Sequence, residues 1–520
     1  MTALILSALL LGPGADDKAP EPRLPLGKGT TFVTGPLDKR GYVDYESALN
    51  AELSKGVTPE TNANVALLGV LGPTPEGGEL RPGVYKWLDV AAPPKDGEYI
   101  VGVGKFARDQ LRLTQEQSDA LDEFMAQAPR RAWAAHDCPP LVEWLRASEK
   151  PLARVHEAVE RPEYFNPLVS KRTEDDPSNL SGAPLPTVQK CRGLALALAA
   201  RATLRLGEKK YDEAWADILA CHRLGRLLTR GASLIEALVG YAVCRLASDA
   251  TVAYVERADL TAKQARARWA ELDALPPVAP LADKIHLAER MMALDALQLV
   301  RRGDPSGFYF AFERPGKPTK EEMAALERLD WASAMQAVNA WYDRLAAAMR
   351  LKDRAARETA FDAIDKELAE VRKKAGGADD FPLAAFMKLV ATKGADKVIG
   401  KTTGDVYASL AIAPIRRVQS RRDALEQGQR NLRVAFALAA YRADTGRYPA
   451  KLADLAPDYL PAVPDDVFGG KPLIYKPVEK GYLFYSVGID GKDDEGRGPT
   501  DAPPGDDLAV RVPVPEPKKK

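Results

Sequence analysis

Histidine and cysteine are both scarce in this chain, with four of each among 520 residues. A multi-zinc protein or a disulfide knot is thereby excluded. Net charge is missing too: 73 lysines and arginines balance 73 aspartates and glutamates. The basic field of a general nucleic-acid binder is therefore absent. Aromatic residues make up 7%, which leaves few platforms for stacking bases or sugars. No apolar run approaches the roughly 20 residues that a membrane-spanning helix needs. Catalytic signatures are lacking as well, with no GxxxxGK[ST] loop, no GxSxG elbow and no HExxH pair. Gly102 to Ala107 spells a dinucleotide fingerprint, but no parallel strand and acidic residue follow it, so it opens no βαβ unit. What is present is ordinary globular stock: 46% hydrophobic and 28% charged residues, enough to bury a sizeable core. At about 150 residues per domain the length suggests three to four packing units.

The ends indicate a compartment. Residues 3–11 read ALILSALLL, followed by Gly12, Gly14 and Ala15, the order of a secretory h-region and its cleavage site. Residues 1–15 are therefore expected to be a signal peptide, giving an exported product with no transmembrane segment in its mature chain. Only Met1 and Thr2 precede the run, so a basic flank is missing and a cytosolic scaffold is the competing reading. Residues 16–29, with Pro20, Pro22 and Pro25 among charges, read as a linker. Residues 512–520, rich in Pro and Lys, read as a disordered tail.

Between the ends the signals are mainly helical. Thr114 with Gln117, Thr261 with Gln264 and Thr319 with Glu322 fit the capping box, in which each side chain satisfies the other residue's free backbone N–H. Thr58 before Pro59 is a fourth start. Residues 30–148 read as a mixed, mostly helical unit with short apolar stretches at 31–33 and 99–103, the second read as a strand. Residues 149–186, polar and Pro-rich, read as a loop or linker. From 187 to 411 the pattern is that of a helical-hairpin domain, broken by a Gly/Pro/aromatic loop at 301–318 and by Gly376 and Gly377. A further helix ends at Gly446, a C′ glycine followed by Pro449. Beyond it, 473–475 and 482–487 read as strands around a turn at Glu479-Lys480-Gly481. The fold class is mainly α: an irregular helical-hairpin array with a small C-terminal α+β domain.

Two stretches resemble known families. LRLGEKKYDEAWADILAC (204–221) is similar to half of a tetratricopeptide unit, with a glycine near the turn and small residues where helices meet. No recurrence follows about 34 residues later, as a regular array requires. The second stretch is longer. LAAYRADTGRYPAKLADL leads to Asp466-Val467-Phe468-Gly469-Gly470, then LIYKP, then YLFYSVGIDGKDD. Tyr441, Gly446, Tyr448, Pro449, Gly469, Ser486, Gly488, Asp490 and Gly491 follow the order found in the globular head of type II secretion major pseudopilins. The resemblance covers roughly 415–511, about a fifth of the length, and makes 412–511 a pseudopilin-head-like domain. Here the head comes last, and Arg416, Arg417, Arg421 and Arg422 occupy the helix before it, so filament assembly is not expected. In that family the loop after Ser-x-Gly-x-Asp-Gly binds calcium. The resemblance implies Asp490 and Asp507 as ligands, with Asp493 and Asp494 as additional candidates. Asp490, Asp493 and Asp494, with Asp506 and Asp507 returning after a Pro/Gly excursion, concentrate hard carboxylate oxygens in a flexible loop, which suits that ion.

Other clusters read as structural. His136-Asp137-Cys138 lacks a second cysteine at metal spacing, His286 and Glu289 lack a second Glu-x-x-His, and His222 reads as a partly buried structural histidine. Arg302-Gly303-Asp304 reads as a chance tripeptide. Cys221 and Cys244 fall nearly opposite in a hairpin of 211–230 with 233–248, so a disulfide between them is conceivable in an exported protein, with free buried thiols as the alternative. Two functions follow. One is a non-enzymatic, exported scaffold that engages protein partners of the cell envelope, its head stabilised by calcium. The other is an exported hydrolase using a carboxylate pair in a groove of the helical domain.

Overall fold

The computed structural model describes residues 21–75, 78–171, 180–304, 320–374, 397–412 and 415–515. The expected signal segment, Thr319, most of the 301–318 loop, and Gly376 and Gly377 lie outside these residues.

Helices dominate, and they begin where side chains can satisfy the first free amides. The capping boxes at Thr114 and Thr261 open α5 (Gln115–Gln127) and α11 (Ala262–Asp273) as expected. The start expected at Thr58-Pro59 is displaced. Thr58 and Thr61 close a hydroxyl-bonded turn, and the helix begins at Ala63, capped by the Asn62 side chain. The N-terminal unit holds α1 (Tyr45–Leu53), α2 (Ala63–Leu71), α3 (Pro82–Leu88), α4 (Val103–Asp109), α5, α6 (Pro139–Ala147) and α7 (Glu149–Val159). The strand expected at 99–103 is absent, and the apolar stretch at 31–33 lies in a turn. Phe32 sits at φ +65°, and Ile100 gives one hydrogen bond, to the Val70 carbonyl.

The expected linker at 149–186 is different in kind. Its first part is α7, and residues 164–168 then run buried, with Tyr164, Phe165 and Leu168 in the core. Asparagine amides stand in for a strand partner. Asn50 exchanges two hydrogen bonds with the Leu168 backbone and Asn62 two with Phe165, so a Pro-rich segment is held without a sheet. The described part of the expected 16–29 linker is docked as well. Leu24 is buried, and the Asn339 amide donates to the Gly29 and Thr30 carbonyls.

The body continues through α8 (Pro186–Gly207), α9 (Tyr211–Leu228), α10 (Leu234–Arg257), α11, α12 (Leu281–Lys284) with a π turn over Ile285–Glu289, and α13 (Arg290–Arg301). Next come α14 (Lys320–Arg328), α15 (Trp331–Met349), α16 (Arg354–Lys374) and α17 (Lys397–Ile412). The hairpins expected around 208–210 and 229–233 are present. α9 and α10 cross at a pair of glycines: a Cβ on Gly240 would lie 2.7 Å from the Gly225 carbonyl oxygen, and one on Gly225 would lie 2.5 Å from Cys244 Sγ. That crossing decides the cysteine question. Cys244 covers Gly225, the Cys221 thiol faces the Ala195 and Val243 carbonyls, and all four cysteines are free and buried. Among the described residues α10 alone is long and apolar enough to cross a membrane, and it is packed against α8, α9 and the last helix.

That last helix, α18 (Ile415–Thr445), is 31 residues long and ends at Gly446, φ +77°. A three-stranded antiparallel meander follows, β1 (Ile474–Val478), β2 (Gly481–Ser486) and β3 (Leu508–Val512). The expected turn at Glu479-Lys480 pairs Val478 with Gly481, and β2 pairs with β3 from Tyr482↔Val512 to Ser486↔Leu508. The third strand falls where no strand was expected, and it takes Val512 out of the expected tail. One face of α18 (Val434, Leu438) packs with Tyr482, Phe484 and Val510. Another (Leu432, Phe436, Ala440) packs with Trp215 and Tyr254 of the body.

Candidate metal centre

The glycines of Ser486-Val487-Gly488-Ile489-Asp490-Gly491 turn the chain out of β2, with φ +72° at Gly488 and +73° at Gly491. The excursion from there to β3 is fastened mostly by aspartates. Asp466, almost fully buried, anchors its start: Oδ1 accepts from Ser486 Oγ (2.7 Å) and the Phe468 amide, Oδ2 from the Val487 amide. Asp506 Oδ2 accepts from the Ile489 and Asp490 amides (2.8 and 3.0 Å). Asp507 Oδ2 accepts from the Asp494 and Gly496 amides (3.1 and 2.7 Å). Asp494 Oδ2 accepts in turn from the Asp506 amide (3.0 Å).

These bonds draw three carboxylates, Asp494, Asp506 and Asp507, together so that one oxygen of each lies within 4.8 Å of the others. Oxygens about 2.4 Å from a calcium ion are at most about 4.8 Å apart across it, so the trio fits one coordination sphere. Oδ1 of Asp506 and Oδ1 of Asp507 are buried without a hydrogen-bond partner among the described residues, and Asp507 as a whole is 3% exposed. Burial pushes the Asp507 carboxyl up, the two amides pull it down, and the neighbouring Asp494 and Asp493 charges push it up again; the net direction is up. Arg497 stands 3.6 Å from Asp494. Hard oxygen donors with unused lone pairs and like charge suit a calcium or magnesium ion, with backbone carbonyls and water completing the sphere.

The four expected ligands divide. Asp494 and Asp507 are in the trio; Asp490 and Asp493 are not. Asp490 turns to Lys492, accepting from its amide and its ammonium, which holds its carboxyl below the usual range. Asp493 accepts from the Tyr485 hydroxyl (3.0 Å) and the Glu495 amide. Asp506 takes their place; the sequence groups it with Asp507 among the loop carboxylates but not among the expected ligands, because β3, which positions it, was not expected.

The other clusters are structural. His136 is exposed while Cys138 is buried at the start of α6. His222 is fully buried rather than partly so, bonded to Thr251 Oγ1 (3.0 Å), and desolvation lowers its pKa to about 3. His286 packs edge-on to Phe32 and meets Arg290, whereas Glu289 accepts from the Leu234 amide. Arg302 is buried against Asp38 and the Tyr42 ring, so Arg302-Gly303-Asp304 presents no exposed arginine. Compared with protein families, curated proteins and solved structures, the chain matches none.

Proposed function

We propose that this chain is an exported, non-enzymatic scaffold that engages protein partners of the cell envelope, and that calcium at Asp494, Asp506 and Asp507 sets the loop of its pseudopilin-like head. One observation carries the reading: three carboxylates cluster in the loop that feeds the last strand, and two of them each keep a buried oxygen without a hydrogen bond among the described residues. A bound divalent cation converts the repulsion among those carboxylates into attraction. The tetratricopeptide-like hairpin and the pseudopilin-like order of the head support the interaction role.

The test uses the full chain and Asp507→Asn, which keeps an acceptor for both loop amides. In chelator, the raised Asp507 carboxyl costs stability increasingly as pH rises from the ordinary carboxylate range through its folded value. At neutral pH without calcium the variant therefore melts at or above the parent. Calcium at about ten times Kd stabilises the parent by roughly 1.4 kcal/mol and leaves the variant unmoved, so the order reverses. Parallel melts in calcium and chelator would sink the metal. For the partner role, cross-linking in intact cells should give envelope proteins joined to the parent head and missing from Asp507→Asn.

The hydrolase alternative finds a favourable setting where Asp249 and Asp507 line the same cavity, both carboxyls raised with burial the leading cause, the environment of a general acid. Asp249→Asn abolishing hydrolysis of a glycoside by the purified protein would favour it.

A further inference from the structure

α10 and α18 lie side by side, and between them and the head loop is a cavity of about 460 Å³, within the range of small-ligand sites. Its α10 wall carries Leu238, Ala242 and Arg245, three to four residues apart on one helix face. Opposite stand Arg421 and Gly428 of α18. A Cβ on Gly428 would meet nothing within 4 Å, so that wall is open. At the head end Arg511 is bound to Asp501 (3.1 Å), and Arg130 faces Asp249 (3.9 Å). Those two guanidiniums are answered within the protein.

Arg245 and Arg421 are not. Both are exposed and line the cavity, and neither makes a hydrogen bond or ion pair with a described residue. Arg245 acts on Asp249 only from beyond ion-pair distance, and burial still holds that carboxyl above its usual range. Beside them Leu238 is 38% exposed, one of few large apolar side chains left open to water. Two unanswered guanidiniums next to an open leucine complement a molecule that is anionic at one end and apolar at the other. We infer that the cavity binds a small organic anion with an apolar body. Arg245 and Arg421 take its carboxylate or phosphate, and Leu238 and the space above Gly428 receive its hydrocarbon.

Calorimetry and thermal melting of the full chain test this with four probes of one chain length: octanoate, octyl phosphate, octanol and octylammonium. Saturable one-to-one binding of an anion is expected, with the stronger of octanoate and octyl phosphate naming the head group. Arg245→Gln and Arg421→Gln should each weaken it about tenfold, the scale of one charge-assisted hydrogen-bonding group. Gly428→Leu, which fills the open wall without disturbing the helix, should abolish it. Octanol binding as tightly as octanoate, undiminished affinity in both glutamine variants, or no binding by either anion would each overturn the inference. None of these variants alters the Asp494, Asp506 and Asp507 trio, so this outcome and the calcium outcome are separable.

Discussion

At the scale of single residues, one buried carboxylate ties three helices of the body together. Asp217 has no exposed surface. It accepts from Arg201 (2.6 and 2.9 Å), Arg205 (2.6 Å) and His156 (2.8 Å), which joins α7, α8 and α9 at one carboxylate. Burial pushes this carboxyl up, but the hydrogen bonds from His156 and Arg201 and the charges of Arg201 and Arg205 outweigh it and hold it below the usual range. A depressed carboxyl contributes stability that is complete above its unfolded value, about 3.9, and is lost as pH falls through the folded one. Asp217→Asn should therefore cost roughly 3–5 kcal/mol at pH 7, the scale for a broken buried pair. The gap to the parent should narrow below about pH 4, where the parent carboxyl begins to lose this advantage. Urea melts at pH 7 and pH 3 measure it, and a gap independent of pH would make packing rather than charge the cause. Arg201 and Arg205 are visibly one turn apart in the sequence, but their shared partner is not, because it comes from another helix. Asp506 was legible as a loop carboxylate but not as a ligand for the same reason: its neighbours in space are residues 489, 490 and 494.

At the scale of elements, two kinds of helix glycine have opposite consequences. Gly240 is where α9 and α10 touch, with the Gly225 carbonyl oxygen and the amide and methyl of the capping Thr229 within 2.7–2.9 Å of any added Cβ. Gly428 borders open space. Gly240→Ala should destabilise by about 1–3 kcal/mol, because neither backbone can retreat from an overpacked contact. Gly428→Ala should be neutral or stabilising by up to about 1 kcal/mol, the ordinary helix preference for alanine over glycine. Denaturant titration of the two variants separates them, and equal effects would place the α9–α10 crossing wrongly. Helix ends with Thr and Gln in a capping box were legible in the sequence, since the motif is local. The start at Ala63 was not, because Asn62 doubles as the clamp on Phe165, a hundred residues away. Residues 163–170 read as linker for a related reason: their strand-like partner is a set of asparagine side chains, which carries no periodicity.

At the scale of the whole molecule, α18 belongs to two cores. Its first half is buried with the body through Ile415 and Val418, and Arg416 is bound to Glu358 and Asp365 while Asp423 takes Arg357. Its second half carries the sheet on one face and Trp215 and Tyr254 on another. A fragment of residues 415–515 should accordingly show no cooperative thermal transition by circular dichroism, with or without calcium. A sharp transition there would mean that the sheet face alone suffices. Of the four arginines that set this helix apart from a filament-forming one in the sequence, Arg416 binds it to the body, whereas Arg421 lines the cavity. The sequence by itself determined the helical class, the helix starts after Thr114 and Thr261 and the helix end at Gly446, the hairpins around 208–210 and 229–233, and the helix–turn–strand order of the head. All of these rest on interactions within a few residues or on repeating patterns of apolar side chains. Only the tertiary structure decided which aspartates meet, which glycines are contacts, that the cysteines stay apart, and where two arginines face an open cavity. Those outcomes depend on the register between elements far apart in the chain, and close packing fixes that register through many small contacts no single segment encodes.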